Sequence, residues 1–459
     1  MQVLGQFPDE ETNPKRIFAK SVVERLRDAG FEAIFAGGCV RDLMLGLEPT
    51  DYDVATNALP DQVRGLFRRS LAVGASFGVI VVQGSPDTGD IEVATFRSDG
   101  EYLDGRRPDT VRFSTAREDA QRRDFTINGM FYDPVEKRII DYVGGLDDLK
   151  IGFLRAIGNP LDRFKEDKLR LMRAVRFAAR FDLKIDPETL HGVKSMAGEV
   201  NTVSIERIAQ ELRKMLPDKR RVASMTLLRE TGLLESIIPE ALPMIGLPQQ
   251  KQAHPEADLW EHTLAVMGYL PGRPSFPLAF AAFLHDIGKP ASEKLENGRR
   301  TFYGHETYGK QIASLVCSRL KLSTAEIQRV TWLVEYHQYL GSPMKLRESK
   351  LKKMLSEPGI DELLDLHEAD ALASTGDTSQ VDYCRYYLKE EPQGPINPPL
   401  IFTGHDLARL GVKPGPIFKV ILDKVREAQL ERKIETKRDA ALLAGELFEA
   451  ESDERDRPI

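Results

Sequence analysis

The chain changes its sequence pattern once, near residue 150, and this change constrains the fold more than any other feature. From about residue 30 to 145, short β-type runs alternate with turns and a few helices. The strand candidates are AIFAGG, DYDVAT, GVIVVQG, DIEVATF and VRFS. After residue 150 nearly every segment has helical periodicity, and Pro and Gly separate the helices. The pattern predicts an N-terminal domain of strands and helices, followed by an all-helical remainder.

The helical remainder contains two clear amphipathic segments and two breaks. The segments RFKEDKLRLMRAVRFAARF and SIERIAQELRKML predict helices. Residues 246–258 predict a linker, and the Pro-rich residues 391–400 predict a second one. A charged helix is expected after Phe418.

Composition excludes several classes of protein. A chain of 459 residues predicts about three domains at roughly 150 residues each. An apolar fraction of 41% and a charged fraction of 29% are typical of a folded protein, not of a disordered or fibrous one. No apolar run approaches the roughly 18–20 residues that cross a bilayer. The polar N-terminus does not resemble a secretory signal, and three cysteines are too few for a disulfide framework. We therefore expect a cytoplasmic protein with no membrane contact.

Charge neither requires nor excludes a nucleic-acid partner. The net charge of −7 provides no global basic field, but a local basic stripe is sufficient for such binding. Residues 151–220 carry an excess of about five positive charges, a local footprint for an RNA backbone. Nothing in the sequence requires a protein partner.

The first candidate site joins a glycine pair to two aspartates. Gly37 and Gly38 end a predicted strand and open a helix, so the backbone can approach a polyphosphate, and the helix N-terminus favours anions. Arg41, one turn into that helix, can reach the same phosphates. Asp51 and Asp53 lie at i and i+2 on a predicted strand, so both carboxylates are expected on one face. Such a pair beside a phosphate cradle predicts a site for divalent cations.

A third acid, Glu92 on the segment IEVATF, could complete that cluster. An Asp-x-Asp pair alone is more often part of a turn, and two glycines are more often a tight strand-to-helix connection. The combination in this order is much more specific.

GGCVRD followed by DYD resembles the signature of the nucleotidyltransferase superfamily with a polymerase-β-type head. RRDFTING, DYVGGLDDL, EDKLRLMRAVRF and SIERIAQEL then resemble, in order, the ribose-reading, hinge, base-reading and following helical elements of class II tRNA nucleotidyltransferases and related bacterial poly(A) polymerases. The resemblance covers about the first 215 residues. It implies an α+β fold, with a small mixed sheet in the head, followed by an all-helical neck and body.

The resemblance also implies roles for the head residues. Asp51 and Asp53 would hold two Mg²⁺ ions, which activate an RNA 3′-hydroxyl for attack on the α-phosphate of a nucleotide and neutralise the departing pyrophosphate. Asp124 would accept a hydrogen bond from the ribose 2′-hydroxyl, and Arg123 would contact phosphate. Outside this context, Arg123 and Asp124 would be interpreted as a surface ion pair.

Glu166, Asp167 and Arg170 are the candidate base readers. Asp167 and Arg170 are expected on one helix face, where the carboxylate accepts from the exocyclic amine of C or A and the guanidinium donates to ring acceptors. The set would therefore select CTP and ATP, and by analogy with the family Glu166 orients Arg170. Alone, these residues would more often be salt bridges on a solvated helix. Arg173 and Arg176 on the same helix are further candidates for nucleotide binding.

The charged, Gly-rich segment Arg97–Phe113 predicts a mobile loop. In the family, a loop here helps the site switch from C to A, so its presence in this chain (Arg97, Asp104, Gly105, Arg106, Arg107) favours an enzyme that can add A. It could equally be a plain surface excursion.

Four histidines in the C-terminal half predict a metal centre. His262, His285-Asp286 and a later Asp370 form an H…HD…D set that suits one divalent metal, and His305 and His337 suit a second. A lone buried histidine is more often a core residue than a ligand. The stretch resembles the HD phosphohydrolase superfamily, which implies an HD-type domain that either hydrolyses phosphate at RNA ends with a divalent transition metal or only holds RNA.

The expected domains are a catalytic head (1–150), a helical neck that binds nucleotide and RNA (151–250), an HD-type domain (251–390) and a helical tail (391–459).

The favoured function is addition of CCA to tRNA from CTP and ATP. The alternatives are an A-adding enzyme, a bacterial poly(A) polymerase, or, from another class, an HD-type phosphohydrolase with a non-catalytic head. The segment GVIVVQGSPDTGDIEVATFR resembles the tRNA type, without the basic-aromatic run towards His-Val that is usual in poly(A) polymerases.

Overall fold

A computed structural model of the chain describes residues 13–73, 78–99, 111–249, 258–296, 299–389 and 395–455. These residues form two compact units: one runs to Leu242 and includes Val316–Leu322, and the other comprises Pro243–Leu315 and the residues from Ser323 onward. Within the described ranges, no helix combines the length and the apolar character that crossing a bilayer requires.

The first unit is built on a mixed seven-stranded sheet, which confirms the predicted α+β class. Its strand order is β3-β4-β5-β2-β1-β8-β9, with β2 parallel to β5 and β1 antiparallel to both β2 and β8. The strands of the chain are β1 (Ala33–Ala36), β2 (Asp53–Thr56), β3 (Ser70–Leu71), β4 (Val79–Val82), β5 (Ile91–Thr95), β6 (Arg97–Asp99), β7 (Val111–Phe113), β8 (Met130–Asp133), β9 (Arg138–Asp141), β10 (Phe153–Leu154), β11 (Lys184–Ile185), β12 (Lys294–Glu296) and β13 (Arg299–Thr301).

All five predicted strand segments contain strands, and the hairpin β8–β9 was missed. β8 is fully buried and lies between β1 and the edge strand β9 in the sheet. The four residues of β8 (MFYD), next to the turn residues PVEK, are too few to show the alternation that identifies a strand from sequence.

The helices of the first unit surround the sheet and then form the neck. They are α1 (Pro14–Asp28), α2 (Gly38–Met44), α3 (Pro60–Leu66), α4 (Ala116–Gln121), α5 (Gly145–Ile151), α6 (Pro160–Glu166), α7 (Leu169–Phe181), α8 (Pro187–Ser195), α9 (Ile205–Met215), α10 (Arg221–Glu230) and α11 (Leu233–Ile237). Helix α7 is the centre of the neck and contacts α9 and α10. Its core face includes Leu171, Val175 and Phe177, all buried.

The continuous helix predicted over residues 163–181 is wrong. α6 ends at Glu166, and Asp167 has an extended backbone (φ −148°, ψ 103°) before α7 begins at Leu169. The Asp167 carboxylate accepts a hydrogen bond from Leu169 N at 3.1 Å, as a helix-capping residue does. Asp167 and Arg170 therefore do not share one helix face, and the helical periodicity on both sides concealed the break.

The second unit is almost entirely helical. Its helices are α12 (Leu259–Tyr269), α13 (Phe276–Leu284), α14 (Lys289–Ser292), α15 (His305–Arg319, whose last turn belongs to the first unit), α16 (Thr324–Tyr336), α17 (Glu348–Leu355), α18 (Ile360–Ser374), α19 (Ser379–Lys389), α20 (Gly404–Arg409), α21 (Pro416–Leu430) and α22 (Lys437–Arg455). Helix α12 packs on α13 and α18, and the apolar, buried α13 packs on α16.

Two expectations for this unit need correction. The single charged helix expected after Phe418 consists of α21 and α22, whose faces pack around a small core that includes Leu407, Ile421 and Val425. The predicted linker is partly buried: Leu247 and Gln249 are 9% and 8% exposed, and Leu259 N donates to Leu247 O.

Candidate functional site

The turn between β1 and α2 brings the backbone unusually close to an arginine. Gly37 has φ +72°, and a Cβ atom at this position would lie 2.5 Å from Arg123 Nη1. Arg123 is fixed there because its guanidinium donates to Asp119 Oδ2 and to Asn128 O. Glycine is thus required at position 37 for both its backbone conformation and its missing side chain. The predicted strand–glycine–helix connection is confirmed as a geometry, since α2 begins at Gly38.

Asp53 and Glu92 stand side by side on parallel strands. They are register partners of β2 and β5, whereas Asp51 precedes β2, so the expectation that both aspartates lie on one strand is wrong. Desolvation within the cleft, and then the charge of Glu92, raise the pKa of Asp53 to about 6; Asp51 contributes in the same direction. Within the described residues these carboxylates do not bring three ligand atoms within 4.8 Å of one another. A cation between them would relieve their repulsion.

Arg41 lies in the wall of the same cleft. It is 5% exposed, donates to Asp42 Oδ1 and Asn128 Oδ1, and stacks over Phe181 with 4.3 Å to the ring centroid. Burial lowers the pKa of this guanidinium. These contacts fix its orientation towards the glycine turn, where Gly38 is its neighbour.

Asp124 forms a buried ion pair with Arg173. Its Oδ2 accepts from Arg173 Nε at 2.7 Å, and its Oδ1 accepts from Phe125 N and Asn128 Nδ2. Burial alone would raise the pKa of Asp124, but Arg173 and these donors lower it to about 2. Because Arg173 Nη2 also lies 2.6 Å from Oδ2, the acceptor positions of this carboxylate are filled. A ribose hydroxyl would therefore have to replace one of the present donors.

This pair predicts an acid-sensitive contribution to stability. The folded pKa of Asp124 (about 2) lies below its ordinary value of 3.8, so the ionised carboxylate stabilises the fold above pH ~4, and this stabilisation is lost as pH falls through ~2. The contribution is about 2 kcal/mol. We expect the difference in unfolding free energy between wild type and Asp124→Asn, from urea denaturation, to shrink by about that amount between pH 6 and 2. Asp61→Asn, with its exposed side chain, should show no such change.

Arg170 is held by contacts from two directions. Glu166 Oε2 accepts from Arg170 Nη1 at 2.5 Å and from Arg163 Nη1 at 2.9 Å, so Glu166 does contact and orient Arg170. Arg170 Nη2 donates to the backbone oxygen of Arg122. Arg170 is 8% exposed, so its guanidinium occupies one defined position at the cleft.

Asp167 is held by a residue that sequence reasoning missed. Arg207 on α9 donates to both carboxylate oxygens of Asp167, at 3.1 and 2.7 Å. Such a two-pronged pair fixes the carboxylate plane. Arg207 lies in the SIERIAQEL element, but only the fold brings it beside a residue 40 positions away.

The predicted residues converge on one cleft of about 510 Å³ between the head sheet and α7. It is lined by seven arginines, three aspartates and four other residues: Gly37, Gly38, Arg41, Asp53, Arg122, Arg123, Asp124, Asn128, Asp167, Arg170, Arg173, Arg176, Phe177 and Arg180. Sequence reasoning missed the site role of Arg122, Asn128, Phe177 and Arg180 here. Asp51, Glu92 and Glu166 are outside the lining; Glu166 acts on it through Arg170.

Two further predictions have different outcomes. Arg176 forms a buried pair with Glu211 at 2.7 Å, and burial lowers its pKa to about 10, so part of its charge is already compensated. Of the predicted loop, Arg97 and Phe113 lie in β6 and β7, which pair with each other. Asp104, Gly105, Arg106 and Arg107 lie outside the described residues.

The second unit contains two clusters of potential metal ligands. The first is His262, His285 and Asp370, and the second is Asp286, His305 and His337; the ligand atoms of each lie within 4.8 Å of one another. Asp286 also joins the clusters: its Oδ2 is 3.2 Å from His285 Nε2, and its Oδ1 is 3.2 Å from His305 Nε2. The sequence identified all six residues. It grouped Asp286 with His262, His285 and Asp370, whereas the structure places this carboxylate between the two clusters.

The histidine tautomers suit cation binding. The Nδ1 atoms of His285, His305 and His337 lie 2.8–2.9 Å from backbone oxygens, where they donate their protons. The Nε2 lone pairs then face the carboxylates and one another, an arrangement that a divalent cation satisfies. Burial would raise the pKa of Asp286, but Lys289 and then His285 lower it well below its ordinary value. Glycine at position 288 allows the backbone after Asp286 to approach the start of α15, since a Cβ at this position would lie 2.1 Å from His305 O.

Three family models match the chain in order. They are the poly A polymerase head domain over residues 33–155, the probable RNA and SrmB-binding site of polymerase A over 182–245, and the HD domain over 259–375. The head and HD families are metal-dependent, which agrees with divalent metal binding in both units.

Relatives match over different extents. Poly(A) polymerase I of Salmonella typhi is 42% identical over 232 residues, 48% of this chain and 50% of that protein, so the alignment spans half the length of that relative. The CCA-adding enzyme of Levilactobacillus brevis is 32% identical over 434 residues, 93% of this chain and 96% of that protein.

Solved structures share the whole fold. The Bacillus stearothermophilus CCA-adding enzyme in complex with CTP has a TM-score of 0.75 at 24% identity, covering 96% of this chain and 99% of that one. The Thermotoga maritima CCA-adding enzyme complexed with tRNA has a TM-score of 0.61 at 20% identity, covering 98% and 100%. Together with the near full-length relative, these matches establish that the chain belongs to the nucleotidyltransferase family of CCA-adding enzymes and poly(A) polymerases.

Proposed function

We propose that this chain adds C, C and A to the 3′ end of tRNA, from CTP and ATP and without a template. The observation that carries the proposal is the single cleft that joins Asp53, beside the glycine turn, to Asp167 and Arg170. One end of the cleft suits phosphates and cations and the other suits a base edge. The near full-length similarity to a CCA-adding enzyme, compared with half-length similarity to poly(A) polymerase I, favours CCA addition over tailing.

Asp53, with Asp51 and Glu92, would hold two Mg²⁺ ions, and the cluster fits them because burial and the charges of Glu92 and Asp51 make ionisation of Asp53 costly until a cation compensates it. When bound, such ions activate the RNA 3′-hydroxyl and compensate the charge of pyrophosphate. Arg123 and Arg41, fixed beside the glycine turn, would bind the triphosphate. Asp124 would orient Arg173. It would accept a hydrogen bond from the ribose 2′-hydroxyl when that hydroxyl replaces one of its present donors.

Base selection would rest on Asp167 and Arg170. The carboxylate accepts from the exocyclic amine of C or A, and the guanidinium donates to their ring acceptors. U and G present a carbonyl and a ring N–H at the matching edge, and each mispaired group costs about 1–3 kcal/mol. Arg207 and Glu166 hold the two readers in place.

The direct test uses the purified chain with Mg²⁺ and two tRNAs, one lacking CCA and one ending in CC. Each is offered CTP, ATP or both. Addition that ends at CCA on the first tRNA supports the proposal. Addition of A to the CC-ended tRNA alone identifies an A-adding enzyme, and a long A tail identifies a poly(A) polymerase.

We expect Arg207→Met to impair base selection without direct contact to nucleotide. Asp167 would lose both hydrogen bonds from Arg207, and its carboxylate would be held only by the one from Leu169 N. The KM for CTP and ATP should rise roughly tenfold, and UTP incorporation should become measurable, because a charge-assisted bond is worth about 1.5–3 kcal/mol. Arg213→Met on the same helix is the matched control, and an unchanged KM in Arg207→Met would contradict the role.

A second function is favoured by the paired clusters in the HD domain. We propose that these residues bind two divalent transition metals and hydrolyse phosphoesters at RNA ends. The metals when bound would activate water, and the six ligands would hold them on either side of Asp286. The test offers RNA ending in 2′,3′-cyclic phosphate or 2′-phosphate to protein loaded with Mn²⁺, Co²⁺ or Ni²⁺. The readouts are ring opening of the cyclic phosphate to a monophosphate and release of inorganic phosphate from the 2′-phosphate. If neither reaction occurs with any of these metals, this domain would be limited to binding RNA.

A further inference from the structure

A glutamine outside all three family matches contacts the HD metal centre through a lysine. Gln249 lies between the matched ranges 182–245 and 259–375, in the segment whose composition predicted a linker. Its Oε1 accepts a hydrogen bond from Lys289 Nζ at 3.0 Å. Lys289 Nζ in turn donates to Asp286 Oδ2 at 2.6 Å, the carboxylate oxygen that faces His285.

Gln249 and Lys289 each keep N–H groups that these contacts do not use, next to the candidate metal centre. Since an ammonium can only donate, the Gln249 oxygen must face Lys289, and the amide nitrogen must point elsewhere. Gln249 is 8% exposed, and among the described residues no acceptor lies within hydrogen-bond distance of its Nε2. Lys289 is 4% exposed and, within the same part of the chain, uses two of its three N–H groups on Asp286 and Gln249.

A buried amide donor without an acceptor is costly unless a ligand or water satisfies it. Lys289 adds a positive charge to these donors and directly contacts Asp286, one of the six candidate metal ligands. An acceptor-rich anion is the ligand that matches this environment, since it gains hydrogen bonds from the pair and charge attraction from the cations.

We propose that Gln249 is an oxyanion-binding residue of the HD centre: its Nε2 donates to a phosphoryl oxygen of the ligand, while its Oε1 keeps Lys289 on Asp286. The ligand class is a tetrahedral phosphoryl group. This inference rests on the proposed metal binding of the HD domain.

The test uses the full chain loaded with Co²⁺, whose visible absorption reports both metal occupancy and ligand changes. Inorganic phosphate is the probe, titrated into wild type, Gln249→Leu, Gln249→Glu and the control Gln328→Leu, which removes an exposed glutamine on α16. In Gln249→Leu, phosphate affinity should fall roughly 10- to 100-fold at unchanged Co²⁺ stoichiometry, because a hydrogen bond to a charged group is lost.

Gln249→Glu separates the two roles of the side chain. The carboxylate still accepts from Lys289 but cannot donate, and it repels an anion, so phosphate binding should disappear while Co²⁺ is retained. Wild-type phosphate affinity in either Gln249 variant, or loss of Co²⁺ from the folded Gln249→Leu protein, would overturn the proposal. If wild type itself binds no Co²⁺, the proposed metal centre fails first, and the two failures are thereby distinguished.

Discussion

Replacing Asp53 by Asn will reduce nucleotide addition by at least about 1,000-fold, because the amide removes one charge from the only strand pair that could hold two cations beside the glycine turn in the described part of the head. Asn has nearly the same volume, and Asp53 lines the cleft and is not part of the hydrophobic core, so the fold should remain intact. The measurement is the rate of CTP addition to a tRNA lacking CCA, at saturating Mg²⁺.

The tRNA affinity of Asp53→Asn should stay within about twofold of wild type, because the contacts to RNA backbone come from basic residues. Asp61→Asn on α3, whose side chain is 95% exposed, is the matched control and should have wild-type rates. Asp51→Ala is expected to behave like Asp53→Asn. More than about one-tenth of wild-type activity in both variants would be incompatible with the two-metal assignment.

The double substitution His285→Ala with Asp286→Ala will remove metal from the HD domain altogether. His285 belongs to one ligand cluster and Asp286 to the other, and the two oxygens of Asp286 face both. We therefore expect the metal content to fall from about two transition-metal ions per chain to near zero, and phosphohydrolase activity to fall with it. Metal analysis after dialysis measures this directly.

Nucleotide addition should survive in that variant, because the cleft of the first unit contains neither residue. The exposed pair His405→Ala with Asp423→Ala serves as the control for loss of a histidine and an acid from the same unit. Phosphatase activity that persists after loss of His285 and Asp286 would show that the HD clusters are not its active site.

Local pattern identified most of the residues of both candidate sites, but not their relations to one another. The glycine turn, the strands of Asp53 and Glu92, and the six HD ligands all follow from motifs whose spacing carries chemistry. The partnership of Arg207 with Asp167 depends on how α9 packs on α7, which no local period reveals.

Two errors have a common physical cause. Helical periodicity continues across Asp167, so the sequence does not reveal that its side chain caps α7 and ends α6. Residues 246–249 resemble a linker because they contain Gly, Pro and Gln, yet Leu247 and Gln249 are buried by tertiary contacts. In both places the contacts of individual side chains, and not the propensity of the neighbouring residues, decide the backbone.

The break between α6 and α7 has an evolutionary consequence. Because Asp167 stands between two helices, the direction of its carboxylate is fixed by two hydrogen bonds from an arginine on a third helix, in addition to one from Leu169 N of its own motif. With the proposed role of Asp167 in base selection, substitutions on α9 would change which nucleotides a descendant of this chain accepts, even while EDKLR remains unaltered. Members of the family that share this motif can diverge in product, and the residue at position 207 is the place to compare them.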